Sequence, residues 1–491
     1  MISNKLFKTL VTVTCLLLSF ALVFGSLGSK VNAAVQDKTW EEIKKRGVLK
    51  VGLSADYAPL EFESHKNGKR EYVGIDIDIA KKIAKDNGLK LEIVNMNFDS
   101  LLGALKTGKI DMIISGMTPT PERKKEVDFS DSYLKSGQTM VVKKTNIDKY
   151  KSLKDFANKR IGAQKQTTQE ELAKNEIENA DIQSMTRLPE VIMALKSGKT
   201  DGAIIEGPVA EAYLQQNPEL GFAKVKFSEP DKDTCIALPK ESPIFLDKLN
   251  TSIKDIKDKG LITKYKESAA QAMEDDGSFF TKYSSFFITG IKNTILISII
   301  GVVLGAVFGA ILALMKLSSF KPLKWLATVY IEFIRGTPLL VQVFLVFFGT
   351  TAALGLDISA MICGMIAMVI NCAAYIAEII RAGINAVDKG QTEAARSLGL
   401  GYGQTMKTII LPQAIKNILP ALGNEFVTVI KESSIVSVIG VSEIMFNAQV
   451  VQGASFDPFT PLLVAAILYF ILTFVLSRVM YFFEGRMKVS D

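Results

Sequence analysis

Residues 104–114 read ALKTGKIDMII, and residues 194–205 read ALKSGKTDGAII. Each copy spells the end of a helix, a glycine stop and an apolar strand. Both strands run directly into a polar residue, Ser115 in the first copy and Glu206 in the second. Open α/β sheets take their ligands beyond the carboxyl ends of strands, so the repeat predicts two similar lobes facing one another across a cleft. Around the first copy, strand 49–54, a helix over 76–87 stopped by Gly88, strand 89–96, helix 101–106 and strand 110–115 alternate as in a parallel-sheet α/β domain. The chain is expected to cross between lobes near 139–143 and to return near 235–240.

At 491 residues and 48% hydrophobic, the chain is too long for one domain and too apolar for a wholly soluble protein. Charged and apolar residues alternate up to about residue 272. From 286 onward the sequence is long apolar spans, at 286–315, 326–348, 358–380, 422–444 and 461–481, each near the ~20 residues a helix needs to cross a bilayer. Lys316, Lys321 and Lys324 follow the first span, and Arg381, Lys389, Arg396, Lys407 and Lys416 follow the third, whereas 447–461 contains no Lys or Arg. Positive residues favour the cytoplasmic side. Five crossings therefore place the loop after the third span and the C-terminus inside, and the α/β domain outside. Lys5 and Lys8 before an apolar run at 10–27, with Val31-Asn32-Ala33 after it, read as a signal peptide cleaved after Ala33 or a retained N-terminal anchor. The expected organisation is a leader at 1–33, an extracellular domain at 34–270, a linker at 271–285 and a membrane domain at 286–491.

Several chemistries are excluded. Of four cysteines, Cys15 lies in the leader and Cys363 and Cys372 in a span, which leaves Cys235 with no disulfide partner in the exported domain. The single histidine, His65, argues against a metal centre or a histidine-based triad. The net charge of +7 is accounted for by membrane orientation, and nothing in it suggests nucleic acid. The segment GALKTGKI from Gly103 approaches a phosphate-binding loop, but Ile110 stands where Ser or Thr is needed and the Gly-Lys precedes a strand instead of a helix. No ATPase site is encoded, and no cofactor is expected on this chain.

Two longer motifs carry a family resemblance. The block SGMTPTPERKKEVDFSDSY at 115–133, with its surroundings over 49–270, resembles the extracellular solute-binding proteins of polar amino-acid ABC importers of the glutamine/histidine type. EAARSLGLGYGQTMKTIILP at 393–412 lies between two spans and has the form EAA, three residues, Gly, nine residues, I-x-LP. It resembles the coupling loop of the permeases of the same importers, as does RGTPLLVQ from Arg335. The resemblance implies a bilobed, type II periplasmic-binding-protein-like α/β domain fused to an all-α ABC permease domain of about five transmembrane helices. It further implies a cytoplasmic ABC ATPase subunit that receives Glu393, Ala394, Ala395, Gly399, Ile409, Leu411 and Pro412, with ATP acting only through that partner. A homodimer follows, because this family's pore needs two permease halves and one is encoded. The setting is the lipid bilayer of a bacterial plasma membrane.

The ligand implied is a polar L-amino acid, whose carboxylate and ammonium must both be paired when the cleft closes, since burying an unpaired charge is costly. Arg123 suits the carboxylate, because a guanidinium donates two parallel hydrogen bonds. Thr118 adds a hydroxyl, and Thr167 and Thr168 open the helix TTQEELAKNEI, whose free N–H groups favour an anion. Thr167 also reads as a plain helix cap. The resemblance puts Arg123 and the threonine pair on the ligand carboxylate, counts Ser115 and Gly116 of the matching block among the substrate-binding residues, and puts Glu206, where the family usually has Asp, on the ammonium. It aligns Tyr57 and Phe98 with rings that cover the ligand, core packing being the alternative, and Ser54 and Gln164 with the side-chain tip. Both of the latter are neutral and no cation stands beside them. This favours an amide, glutamine first, over an acidic or basic amino acid, with asparagine and glutamate the other candidates. Two alternatives remain at this level. A ligand-gated channel would carry a filter sequence such as TVGYG, which is absent, and an enzyme on the same fold would need an acid such as Glu206 for proton transfer.

Overall fold

In the computed structural model of the protein, residues 37–66, 69–228, 231–273 and 278–488 are described; the expected leader lies outside them. Strand Val48–Leu53 is buried along nearly its whole length, and it runs parallel to both its neighbours, Lys90–Asn95 and Met112–Ile113. The antiparallel strand Ala237–Leu238 and the edge strand Asp128–Phe129 complete that sheet. A strand covered on both faces needs apolar residues on both, and Ile79 and Ile83 of helix Ile75–Asp86 supply one cover.

The second lobe repeats the plan. Arg160–Gln164 lies between Asp181–Met185 and Gly202–Glu206, all parallel, followed by the antiparallel Leu134–Lys143 and then Leu220–Phe222. The repeat in the sequence is thus a repeat in topology. Helix Leu101–Lys106 is followed by Gly108 at φ 73° and helix Leu188–Ser197 by Gly198 at φ 76°, left-handed positions that glycine occupies without a Cβ penalty.

The first lobe crossing falls earlier than expected. Residues 139–143 are the end of strand Leu134–Lys143, wholly within the second lobe, and the chain leaves the first lobe at Ser130–Tyr133. It returns at Cys235 and Ile236, close to expectation, and the two connections are bonded to each other: Ser130 N–H to the Ile236 carbonyl at 2.9 Å and Tyr133 N–H to the Thr234 carbonyl at 3.0 Å. The displaced expectation has a simple cause, since an apolar strand and an extended hinge have the same composition.

Of the expected linker, 271–273 end helix Leu261–Met273 and 279–285 open the helix Phe279–Leu317. At 39 residues and 1.5 Å per residue this helix is about 58 Å long, roughly twice the hydrocarbon thickness. Gly301, Gly305, Gly309 and Ala313 are spaced by four and buried. They let helix Ala360–Asn385 approach so closely that a Cβ on Gly305 would lie 2.6 Å from that of Cys372, the small-residue seam that membrane helices use for close packing. Among the described residues, three helices are long and apolar enough to cross a membrane, or five if each of two bent pairs is one span. The expected span 326–348 is broken into Lys321–Arg335 and Leu339–Ala352 at 106°. Pro338 explains the break, because it lacks an N–H and disfavours helical geometry at Thr337. The expected span 422–444 ends earlier: Leu411–Glu432 and a 3₁₀ stretch Ser433–Ile439 stop at Gly440, φ 86°, before helix Ile444–Ser455 leaves at 50°.

Gly74, at φ 127°, joins the hairpin of the first lobe to helix Ile75–Asp86, and a Cβ there would fall on the Leu60 carbonyl oxygen and 2.7 Å from its carbon. The same carbonyl accepts from Asp76 N–H at 2.9 Å, so it cannot retreat. Gly74→Ala is expected to destabilise the binding domain by about 2 kcal/mol or more, read as a lower urea midpoint of Trp40 emission in the full chain; an unchanged midpoint refutes this account of the junction.

Candidate functional site

The two strand ends and the loops beside them enclose a cavity of about 20 Å³ between the lobes, lined by Ser54, Tyr57, Phe98, Ser115, Gly116, Thr118, Arg123, Gln164, Thr167 and Thr168, with Asp56 and Gln169 in addition. Every residue singled out for the cleft except Glu206 is on this wall. Glu206 lies immediately behind it, where a Cβ on Gly116 would stand 3.5 Å from its Oε2 and 3.4 Å from the Tyr57 ring.

One end of the cavity is built for an anion. Arg123 is buried in helix Pro121–Glu126, capped by Thr120. It donates to the Thr118 carbonyl at 2.8 Å and, across the cleft, to the Gln166 carbonyl at 2.7 Å, while its guanidinium lies 5.5 Å over Phe98. Two of its five N–H groups thereby hold the fork in place. Thr167 caps helix Thr168–Glu176, accepting from Glu170 N–H at 3.4 Å and donating to the Gln164 carbonyl at 2.6 Å. Its hydroxyl is therefore engaged as a cap, and the free N–H groups of the helix's first turn are what it leaves to the cleft.

The opposite end is acidic: beside the expected Glu206 it holds Glu61, Asp76 and Asp56, which sequence reasoning missed. Ser136 donates to Glu206, and burial with the nearby Asp76 charge raises the Glu206 carboxyl to about 7. Asp76, raised by burial to about 6, accepts from Gly116 N–H at 3.0 Å and from the Tyr133 hydroxyl at 2.9 Å. Glu61 accepts from the Ser115 hydroxyl at 2.5 Å and is pushed well above the carboxylate range by burial and by Asp76. Burial and the Glu206 charge push the Tyr57 phenol up as well. Asp56 accepts from Ser54 at 2.8 Å and from Arg187 Nε of the other lobe at 2.6 Å. Glu61 sits in a strand with apolar neighbours on either side and Asp76 in an IDIDI run; neither pattern signals a site.

The side-chain tips of two neutral residues are oriented by their partners. Gln164 donates its amide N–H to the Thr186 carbonyl at 3.2 Å, and Ser54 donates its hydroxyl to Asp56. Each keeps acceptor capacity on its side-chain oxygen, and both residues line the cavity.

The second constellation is the loop at 393–412. Helix Lys389–Ser397 carries Glu393, Ala394 and Ala395, with Ala395 buried. Gly399, at φ 81° with open space around it, turns the chain. A short helix and a π turn, which holds Ile409, lead into helix Leu411–Glu432, with Pro412 in its first turn. Leu398 and Tyr402 are 81% and 65% exposed, an unusual display of apolar surface beside a hollow of about 410 Å³ lined by Leu317, Ile384, Met406 and Ile410.

Residues 49–270 match the bacterial extracellular solute-binding proteins, family 3, and residues 301–489 match the binding-protein-dependent transport system inner membrane component. The chain belongs to the amino-acid ABC importers. The arginine transport system permease protein ArtQ of Bacillus subtilis is 42% identical over 206 residues, covering 42% of this chain and 94% of that protein. A putative glutamine transport system permease protein, GlnP of Rickettsia bellii, is 42% identical over 205 residues, with 42% and 94% covered. The arginine-binding extracellular protein ArtP of Bacillus subtilis is 36% identical over 249 residues, or 50% of this chain and 94% of that protein. The importer's binding and permease functions, separate in these relatives, are joined here in one bilobed α/β and helical membrane chain, as the motifs implied.

For a ligand that places an ammonium beside Glu206, pH dependence follows from sign. With its folded carboxyl at about 7 against an unfolded value near 4.5, the empty fold favours the protonated form and loses stability as pH rises through that interval. The ammonium favours the ionised form, so affinity should rise roughly tenfold from pH 6 to pH 8. Calorimetry on the wild type and on Glu206→Gln checks this; the variant should bind more weakly and with a flat profile, and a flat wild-type profile contradicts the assignment.

Proposed function

We propose that this chain is the receptor and permease subunit of an ATP-driven importer whose ligand is a polar L-amino acid with a hydrogen-bond-donating side chain, arginine before glutamine. The observation that carries the side-chain reading is the pair of acceptor oxygens at Ser54 and Gln164 beside a cleft rich in carboxylates. A guanidinium carries only donors and satisfies both, whereas the carboxylate of glutamate offers only acceptors. Arginine also stands in the names of ArtP and ArtQ. This reverses the order expected from sequence, which weighed the missing cation without counting the acids. Glutamine is the second reading, because its amide N–H₂ also suits two acceptors and GlnP is equally similar in the permease part.

Arg123, Thr118 and the first turn at Thr168 would take the ligand carboxylate, Glu206 the ammonium, and Tyr57 and Phe98 the apolar stem. The motor is a separate ABC ATPase that docks on the loop at 393–412 from the cytoplasm, where Leu398 and Tyr402 supply apolar contact. Two copies of the chain form the pore in the plasma membrane, with the binding domains outside. Competition calorimetry tests the substrate: arginine should displace glutamine, and glutamate should displace neither within a hundredfold. Tighter binding of glutamate than of arginine overturns the reading of the pocket. Coupling is tested at Gly399, whose left-handed φ of 81° disfavours a β-branched residue. Gly399→Val should keep ligand affinity within twofold while uptake and ligand-stimulated ATP hydrolysis fall together at least tenfold; normal uptake by a correctly inserted variant removes the role assigned to the turn.

A further inference from the structure

Beside the cleft, and outside the ligand contacts proposed above, Asp56 of the first lobe and Arg187 of the second form an ion pair in which both side chains are essentially inaccessible, at 1% or less. Arg187 precedes helix Leu188–Ser197, where Glu190 accepts its N–H at 3.4 Å and that of Thr186 at 3.1 Å. Its Nε reaches Asp56, and its Nη1 donates at 2.8 Å to Oε1 of Gln449, which belongs to the permease helix Ile444–Ser455. Nη2 is buried without a partner.

The same helix touches both lobes by shape as well as charge. A Cβ on Gly453 would lie 2.6 Å from Asp56 Cα, so the helix backbone rests on the first lobe. At its end Phe456 packs edge-on against Tyr213 of the second lobe, centroids 4.9 Å apart, and accepts from Asn217 at 3.3 Å through its carbonyl. The helix carries no charged side chain, so nothing on it repels either member of the pair.

We propose that helix Ile444–Ser455 reads lobe closure through the Asp56–Arg187 pair, Gln449 recognising the Arg187 guanidinium in the position that Asp56 gives it across the closed cleft. In an open domain the carboxylate and the guanidinium part with their lobes, and a helix that spans both lobes loses either its seat on Asp56 or its bond to Arg187. Closure and docking are then coupled reciprocally: whatever closes the lobes strengthens the permease contact, and the permease contact holds the lobes closed. The inference rests on the importer reading for the identity of the closing ligand, but not for the contact itself.

The test uses the full chain in nanodiscs with spin labels at Lys224→Cys in the second lobe and Phe459→Cys beside the helix, both exposed. The docked short-distance population should grow on saturation with arginine or glutamine. Gln449→Lys sets a cation against Arg187 and should lower the docked population at least tenfold, whereas Gln449→Glu offers a carboxylate and should retain or raise it. A role limited to packing moves both variants alike, so equal responses, or a wild-type response in Gln449→Lys, overturn the proposal. A docked population that ignores a ligand whose binding calorimetry detects also overturns it. If neither amino acid binds by calorimetry, the substrate reading is what fails, and the opposite responses of the two Gln449 variants still decide the contact.

Discussion

The structure depends on charge that is buried only while two lobes meet. Arg123 reaches from the first lobe to the Gln166 carbonyl of the second, and Arg187 reaches back to Asp56. A guanidinium stripped of water is costly unless its N–H groups find acceptors, and each of these has one of its acceptors across the gap. The lobes are joined at Ser130–Tyr133 and Cys235–Ile236, two short segments bonded to each other that belong to neither sheet. Burial sets the acid–base character of the cleft by the same logic: Glu206 and Asp76, crowded behind Gly116, hold protons more tightly than free carboxyls.

The membrane half supplies a rigid seat for this moving part. The seam of Gly301, Gly305, Gly309 and Ala313 locks the long first helix to Ala360–Asn385, while the first lobe stands on the permease through Lys109, bonded to the Ile358 carbonyl at 2.9 Å, and through Lys50 with Asp357. Gly440 passes so close to the Asn95 carbonyl that a side chain there has no room. At the other end of the permease, the Lys316–Glu378–Arg381 cluster ties helix Phe279–Leu317 to helix Ala360–Asn385, which leads to the loop at 393–412.

Much of this was legible in the sequence, for physical reasons. The repeated helix, glycine and strand fixed the topology of both lobes, because left-handed glycine stops and apolar strands are local properties. The cleft residues from Ser54 to Thr168 came mainly from the family resemblance, with strand ends and helix starts pointing the same way for Ser115 and Thr167, and all line one cavity. Asp56 and Arg187 were not found, since their meaning lies in a pairing 131 residues apart and each alone looks like a surface charge. Glu61 and Asp76 were hidden in apolar runs. Pro338 interrupts the second span, but the 106° between its two halves is not encoded in composition. The early lobe crossing at Ser130 was lost because the strand after it reads the same as a hinge.

The central claim is that one chain captures an amino acid outside the membrane and passes it to its own permease for ATP-driven import. The most direct measurement is accumulation of labelled arginine by proteoliposomes containing this chain and its ATPase subunit, with the binding domain facing outward and ATP enclosed. The account predicts accumulation above the external concentration that stops when the enclosed nucleotide is ADP. Entry that proceeds equally without ATP and never exceeds the external concentration would contradict it and identify the chain as a ligand-gated pore.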